Sequence, residues 1–165
     1  ENSTIYAGET DGELINFETG NLYWRMLDDL FIKYGFPKAT FGRNTDIHPG
    51  RKYCQDTRVN FTYVQEGDVL HYGGYNLQAV ETPGHTPGGI VLFAATDQGN
   101  IAFVGDTLFP GSHGRTDLSG GDEAAIMRSL SKLAKTLPPD TVCLTGHGDS
   151  TTMARELMQN PFMQM

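Results

Sequence analysis

The sequence has few of the features that mark disulfide-stabilised, membrane-spanning or nucleic-acid-binding proteins. Only Cys54 and Cys143 are present among 165 residues, so we expect no disulfide framework and a reducing, cytoplasmic setting. No run of about 18 apolar residues occurs, and these residues therefore contain no helical membrane span. The 12 Lys and Arg against 20 Asp and Glu give a formal net charge of −8, which argues against nucleic acid as a partner because basic surfaces supply most of that affinity.

The chain also lacks an initiating methionine, since it begins at Glu1. We therefore expect that residues before Glu1 have been removed. A chain of 165 residues can bury roughly 70% of its unfolded surface, so a core can form without disulfides or a structural metal. No internal repeat, linker or second domain is visible, and we predict a single, partial domain over residues 1–165.

The spacing of apolar residues predicts short strands between helices, which indicates the α/β class. Helices are predicted over residues 21–34, 122–135 and 151–158, the last capped by Asp149 or Ser150. Strands are predicted over residues 4–7, 59–64, 68–72, 75–82, 90–95, 101–104 and 141–145. Because most of these strands are joined by tight turns, we expect mainly antiparallel neighbours.

Three polar residues follow predicted strands and are flanked by glycine: His85, Asp106 and His147. Strand ends on one rim of a sheet can meet although they are distant in sequence, and glycine leaves room for a sharp turn or a bound ion. Two imidazoles and one carboxylate suit Zn²⁺ or a similar divalent metal. Each motif alone is more typical of a hydrogen-bonded turn, but the three together indicate a metal site.

At these residues the sequence resembles the metallo-β-lactamase superfamily. Residues 82–88 (TPGHTPG), 105–109 (GDTLF) and 146–148 (GHG) are similar to its later motifs and occur in the same order. Residues 105–117 (GDTLFPGSHGRTD) and the tail 160–162 (NPF) resemble hydroxyacylglutathione hydrolases of the glyoxalase II type. The resemblance implies an αββα sandwich of the metallo-β-lactamase type, here truncated at its N-terminus.

The same resemblance implies a role for each of the three residues. His85 would be the third histidine of the first metal site, Asp106 the carboxylate that bridges two metals, and His147 the residue that completes the second site. The implied metals are zinc, with iron or manganese as alternatives, and the implied substrate is a small-molecule thioester such as S-lactoylglutathione, hydrolysed by a metal-bridging hydroxide. His113 and Arg115 are weaker candidates for substrate binding, since a loop network between Arg115 and Asp117 or the backbone explains them better.

One expected motif, HxHxDH, is missing from the 165 residues. In the family it supplies two ligands to each metal and the aspartate that handles the proton, so we expect that catalytic aspartate upstream of Glu1. Two alternatives are a hydrolase of another ester, lactone, sulfur compound or phosphodiester, and a non-catalytic binding module on this fold. In every case we predict that this chain alone is a poor catalyst, and that uncovered strands favour a homodimer or strand-swapped assembly.

Overall fold

The computed structural model describes residues 4–15, 61–118 and 120–164, and its largest element is a six-stranded mixed sheet. The elements in chain order are β1 (Ile5–Gly8), α1 (Glu9–Ile15), β2 (Phe61–Val64), β3 (Val69–Tyr72), β4 (Tyr75–Glu81), β5 (Ile90–Thr96), β6 (Gly99–Gly105), β7 (Leu108–Phe109), β8 (Ser112–His113), α2 (Glu123–Thr136), β9 (Val142–Thr145), β10 (Thr151–Thr152) and α3 (Met153–Gln159). Within these ranges no helix has the length and apolar character needed to cross a membrane. The helix predicted over residues 21–34 lies outside the described residues, as do His48 and Cys54.

The six-stranded sheet has the order β10-β9-β6-β5-β4-β3. Strands β3 to β6 form the predicted antiparallel meander, so β4 and β6 run in the same direction on either side of β5. Strand β9 pairs with β6 in parallel. The C-terminal ends of β4, β6 and β9 therefore lie at one edge of the sheet. Two smaller sheets pair β1 with β2 in parallel and β7 with β8 antiparallel.

Helix α2 forms where the apolar spacing predicts it. It begins after Asp122, whose side chain accepts a hydrogen bond from the backbone N–H of Ala125 and so caps the helix. Its buried face packs against one face of the sheet, since Leu130 and Leu133 share a core cluster with Val91 and residues from β4, β6 and β9. The mixture of sheet and packed helices is the α/β class predicted from the sequence.

The start of the last helix differs from the prediction. Thr151 and Thr152 form β10, which pairs antiparallel with β9, and Thr152 rather than Asp149 or Ser150 caps α3 by accepting from the N–H of Arg155. β-branched threonine fits extended backbone well, and its hydroxyl can still serve as a cap one residue later. The strand pairing therefore delays the helix to Met153.

The opposite face of the neighbouring strands β6 and β9 carries exposed apolar side chains. Phe103, Val142 and Leu144 are 46%, 40% and 37% exposed, whereas Cys143 between the last two is buried against α2 and α3. A face of this kind suits association with other apolar surface. The homodimer or strand-swapped assembly expected from the sequence stays a prediction.

A buried hydroxyl without a partner gives a test of the packing beside β9. Thr141 is fully buried and its Oγ1 has no hydrogen bond among the described residues, whereas the equally buried Thr82 shares a 3.0 Å hydrogen bond with the hydroxyl of Thr107. We expect Thr141→Val to raise the free energy of unfolding by about 1 kcal/mol and Thr82→Val to lower it by roughly 1–3 kcal/mol. Urea unfolding of both variants checks this; equal losses would contradict it.

The buried thiol of Cys143 predicts a dependence of stability on alkaline pH. Burial, and secondarily the charge of Glu156, raises its pKa from an ordinary 9.0 to about 12. Because the unfolded chain loses this proton first, the stabilising contribution is complete below pH 9 and is lost as pH rises toward 12, by at most about 1.4 kcal/mol per pH unit. For Cys143→Ala, which keeps every other titrating group, the free energy of unfolding should change less with pH over this range. If urea unfolding gives the same pH dependence of the unfolding free energy for both proteins, the raised pKa of Cys143 is refuted.

Candidate metal centre

The sheet topology brings together the three residues selected from the sequence. Asp106 directly follows β6, and His147 and His85 lie shortly after the ends of β9 and β4. The backbone N–H of Gly146 donates to the carbonyl of Gly105 over 2.9 Å, which extends the parallel pairing one step past the strands. The two turns that carry Asp106 and His147 are therefore held side by side.

The three side chains converge on one carboxylate oxygen. Oδ2 of Asp106 lies 3.5 Å from Nε2 of His85 and 3.4 Å from Nε2 of His147. Both distances are longer than an ordinary N–H···O hydrogen bond. They are close to the separation of about 3.4 Å expected between two ligand atoms that each lie about 2.1 Å from one tetrahedral ion. The spacing therefore suits two imidazole–carboxylate pairs that share Asp106.

The orientation of His85 is fixed by a main-chain acceptor. Its Nδ1 lies 2.8 Å from the carbonyl oxygen of Arg115, and because a carbonyl can only accept, the proton belongs on Nδ1. Nε2 then carries the free lone pair and faces Asp106. A partner of this kind is the usual support for a metal-binding histidine. The sequence does not reveal it, because any residue at position 115 presents a carbonyl.

Glycines allow close packing around Asp106. A Cβ on Gly146 would lie 2.2 Å from Oδ1 of Asp106, and a Cβ on Gly114 would lie 1.9 Å from its carbonyl oxygen. Gly105 has a φ of +51°, a left-handed conformation that turns the chain sharply into Asp106. A side chain at position 146 or 114 would displace the carboxylate or its backbone.

His147 is the most exposed of the three, with 74% of its side chain accessible. Its ring packs against Phe109 at a centroid distance of 4.7 Å and an interplanar angle of 38°. Phe109 belongs to the β7–β8 hairpin, which follows Asp106 along the chain. This hairpin therefore supports the ring of His147 and leads into the segment whose carbonyl orients His85.

The β7–β8 hairpin is anchored to α3 by a buried carboxylate. Glu156 on α3 is fully buried, and its oxygens accept from the N–H of Gly111 at 2.8 Å, from the amide of Asn160 at 2.9 Å and from the hydroxyl of Thr151. Asn160 also donates to the carbonyl of Ser112 at 3.0 Å. A glutamate on a short helix is usually solvated, so the sequence gives no sign of this anchor.

The two weaker candidates are tied to other residues. Arg115 forms a paired hydrogen bond to Asp117, with N···O distances of 2.7 and 2.9 Å, which is the loop network that the sequence offered as the alternative. His113 donates from Nδ1 to the carbonyl of Gly114, and its ring meets Phe162 edge-on at 4.4 Å. Arg115 contributes to the centre through its backbone.

Within residues 4–15, 61–118 and 120–164, no group of three or more His, Cys, Asp or Glu side chains is arranged to hold one metal ion. The donors form two pairs around a shared oxygen instead. Each pair is too small a ligand set for a tightly held ion, since structural and catalytic zinc sites use three or four protein ligands. The arrangement could therefore hold two ions only if further ligands complete each site.

The close contact at Gly146 gives a direct test of this packing. In Gly146→Ala the new Cβ would overlap Oδ1 of Asp106, so the carboxylate or the turn must shift, and we expect a loss of roughly 1–3 kcal/mol in unfolding free energy. The imidazole NMR signals of His85 and His147 should shift as well. The exposed Ser150→Ala in the same connection serves as control and should stay within about 0.5 kcal/mol. Identical behaviour of the two variants would contradict the geometry.

Known proteins are similar in sequence to much of this chain. The pattern of the family described as Metallo-beta-lactamase superfamily matches residues 6–147. Protein Rv2581c of Mycobacterium tuberculosis is 42% identical over 103 residues, covering 61% of this chain and 46% of that protein. Hydroxyacylglutathione hydrolase GloC of Haemophilus influenzae is 38% identical over 99 residues, covering 60% of this chain and 46% of that protein.

A solved structure extends the similarity over nearly the whole chain. TTHA1623, crystallised in a di-iron-bound form, aligns with 96% of this chain and 64% of its own, with a TM-score of 0.61 and 28% identity. This chain spans about half the length of the two relatives named above. The family pattern covers most of the chain and runs through all three strand-end motifs. The chain therefore belongs to the metallo-β-lactamase superfamily, whose members are generally metal-dependent hydrolases and share its α/β sandwich fold.

Proposed function

We propose that this chain carries three of the metal ligands of a thioester hydrolase of the hydroxyacylglutathione type, namely His85, Asp106 and His147. The proposal is supported by the motif at residues 105–117, by the tail at 160–162 and by the similarity to GloC. The implied substrate is a small thioester such as S-lactoylglutathione. Zinc is the proposed metal. Iron is the alternative, because TTHA1623 was crystallised in a di-iron-bound form.

The observation that carries the proposal is the position of Asp106 between two imidazoles. A carboxylate with one histidine at 3.5 Å and another at 3.4 Å, each lacking a hydrogen bond to it, is suited to share its charge between two cations. His85 would serve one ion, His147 the other, and Asp106 both. Exposure of His147 leaves that side of the centre open to a substrate.

When bound, the two divalent ions would lower the pKa of a bound water to roughly 7 and polarise a carbonyl. The residues of this chain hold the ligands for that chemistry in place. The carbonyl of Arg115 keeps the Nδ1 proton of His85 away from the centre, and Phe109 supports the ring of His147. A thiolate leaving group has a pKa near 8.5 and needs little help from a proton donor.

A non-catalytic module on the same fold is the second candidate, and one observation favours it. The HxHxDH motif is missing from these 165 residues, so each proposed ion has two ligands here and the proton-handling aspartate is not among them. Two-ligand sites bind metal weakly. We therefore propose that this chain alone is a poor catalyst under either function.

Metal binding by the chain itself tests the proposed ligands. In equilibrium dialysis against Zn²⁺, we expect Asp106→Ala to weaken binding at least tenfold and to do more damage than His85→Ala or His147→Ala, because it removes a ligand from both ions. His71→Ala is the matched control, since this exposed histidine hydrogen-bonds to the nearby Asn76 over 2.7 Å. Unchanged binding in Asp106→Ala, or a loss confined to His71→Ala, would overturn the ligand assignment.

An assay of S-lactoylglutathione hydrolysis distinguishes the thioester hydrolase from the non-catalytic binding module. The chain extended by the coding sequence upstream of Glu1 should carry HxHxDH and hydrolyse the thioester, and Asp106→Ala should abolish the activity. A start codon close to Glu1 together with inactivity would favour the binding module. Hydrolysis at ordinary enzyme rates by the 165 residues alone, with two tightly held metals, would refute the predicted dependence on the missing motif.

A further inference from the structure

The loop that carries His85 is anchored on two sides. Its ends are joined by a hydrogen bond from the N–H of Thr82 to the carbonyl of Gly89, at 2.7 Å. The half before His85 is held by α2, because the hydroxyl of Ser129 donates to the carbonyl of Pro83 and the N–H of Asp122 donates to that of Gly84. The remaining half, residues 86–88, faces the first helix of the chain.

Asp11 on α1 accepts hydrogen bonds from residues 86–88 of the loop. Its Oδ2 accepts from the hydroxyl of Thr86 at 2.6 Å, and its Oδ1 accepts from the backbone N–H of Gly88 at 2.8 Å. Both carboxylate oxygens are therefore used on two of the three residues that follow His85 along the loop. Asp11 itself is half-buried, which strengthens such hydrogen bonds relative to a fully exposed pair.

Where the start of α1 meets the His85 loop, the two backbones are packed as closely as glycine permits. A Cβ on Gly88 would lie 2.6 Å from the backbone nitrogen of Asp11, and a Cβ on Gly8 would lie 2.1 Å from the carbonyl oxygen of Gly88. This contact is independent of the two hydrogen bonds and points to the same conclusion. The start of α1 therefore packs directly against the His85 loop.

We propose that Asp11 is a positioning residue for His85: it fixes residues 86–88 from α1 and thereby sets the direction of the imidazole toward Asp106. The inference rests on the proposed function only in taking His85 as a metal ligand. Asp11 acts through the loop, since its oxygens are used by Thr86 and Gly88. Hydrogen bonding, rather than negative charge, is the property that this role requires.

Comparison of two substitutions separates hydrogen bonding from charge. Asp11→Asn removes the charge but keeps an acceptor for the N–H of Gly88 and a partner for the hydroxyl of Thr86, so we expect near-normal behaviour. Asp11→Ala removes both bonds and should weaken Zn²⁺ binding about tenfold, the lower end of the effect of residues that support a ligand. Glu9→Ala, an exposed carboxylate in the first turn of the same helix, is the control for charge and should have no effect.

A readout without metal keeps this inference separate from the proposed function. In the NMR spectrum of the apo chain, Asp11→Ala should broaden or shift the Nδ1–H signal of His85 and speed amide exchange at Gly88. The Nδ1–H of His113, which bonds to Gly114, is the internal reference and should not change. Thr86→Val removes one of the two bonds and should give a smaller shift, which covers the case in which Asp11→Ala fails to fold.

The outcomes are distinct for the two proposals. Loss of the His85 signal in Asp11→Ala with its retention in Asp11→Asn supports the positioning role, even if Zn²⁺ does not bind at His85 and the proposed function fails. If Asp11→Ala and Thr86→Val both leave the His85 signal, Gly88 exchange and Zn²⁺ affinity at wild-type values, the positioning role is wrong. Equal loss in Asp11→Asn and Asp11→Ala also overturns it, because charge would then be the cause.

Discussion

The parallel pairing of β9 with β6 is the constraint on which the rest of the centre depends. The meander from β3 to β6 already makes β4 and β6 run in one direction, and a parallel β9 adds a third strand that ends at the same edge. Had β9 paired antiparallel, His147 would lie at the far end of the sheet from Asp106. The hydrogen bond from Gly146 to Gly105 continues the pairing into the turns, so the separation of 3.4 Å between His147 and Asp106 follows from sheet register.

Support for the centre comes mainly from uncharged or main-chain partners rather than from ion pairs. His85 is oriented by a carbonyl, its loop is held by Asp11 through a hydroxyl and an N–H, and the β7–β8 hairpin is held by the buried Glu156 through an N–H, an amide and a hydroxyl. Directional bonds of this kind fix positions without placing a competing cation beside the ligands. The glycines around Asp106 have the complementary role, because they let these elements approach one another closely.

Much of this could be predicted from the sequence, for physical reasons that differ between elements. Strands β1 to β6, β9 and helix α2 follow from local sequence patterns, whereas the short strands β7 and β8 were not predicted. His85, Asp106 and His147 stand out because each is a metal-ligand residue between glycines after a strand. The supporting residues could not be found in this way. Asp11 and Thr86 are 75 positions apart, the acceptor at Arg115 is a backbone atom, and the burial of Glu156 arises only from tertiary packing. β10 was missed because its short pairing with β9 competes with a helical pattern that begins at the same residues.

Anomalous X-ray diffraction at the zinc edge, from crystals of the chain grown with Zn²⁺, tests the central claim most directly. We predict density peaks on either side of Oδ2 of Asp106, one within ligand distance of Nε2 of His85 and the other within ligand distance of Nε2 of His147. Zinc found at other histidines, with none within ligand distance of Asp106, would contradict the account.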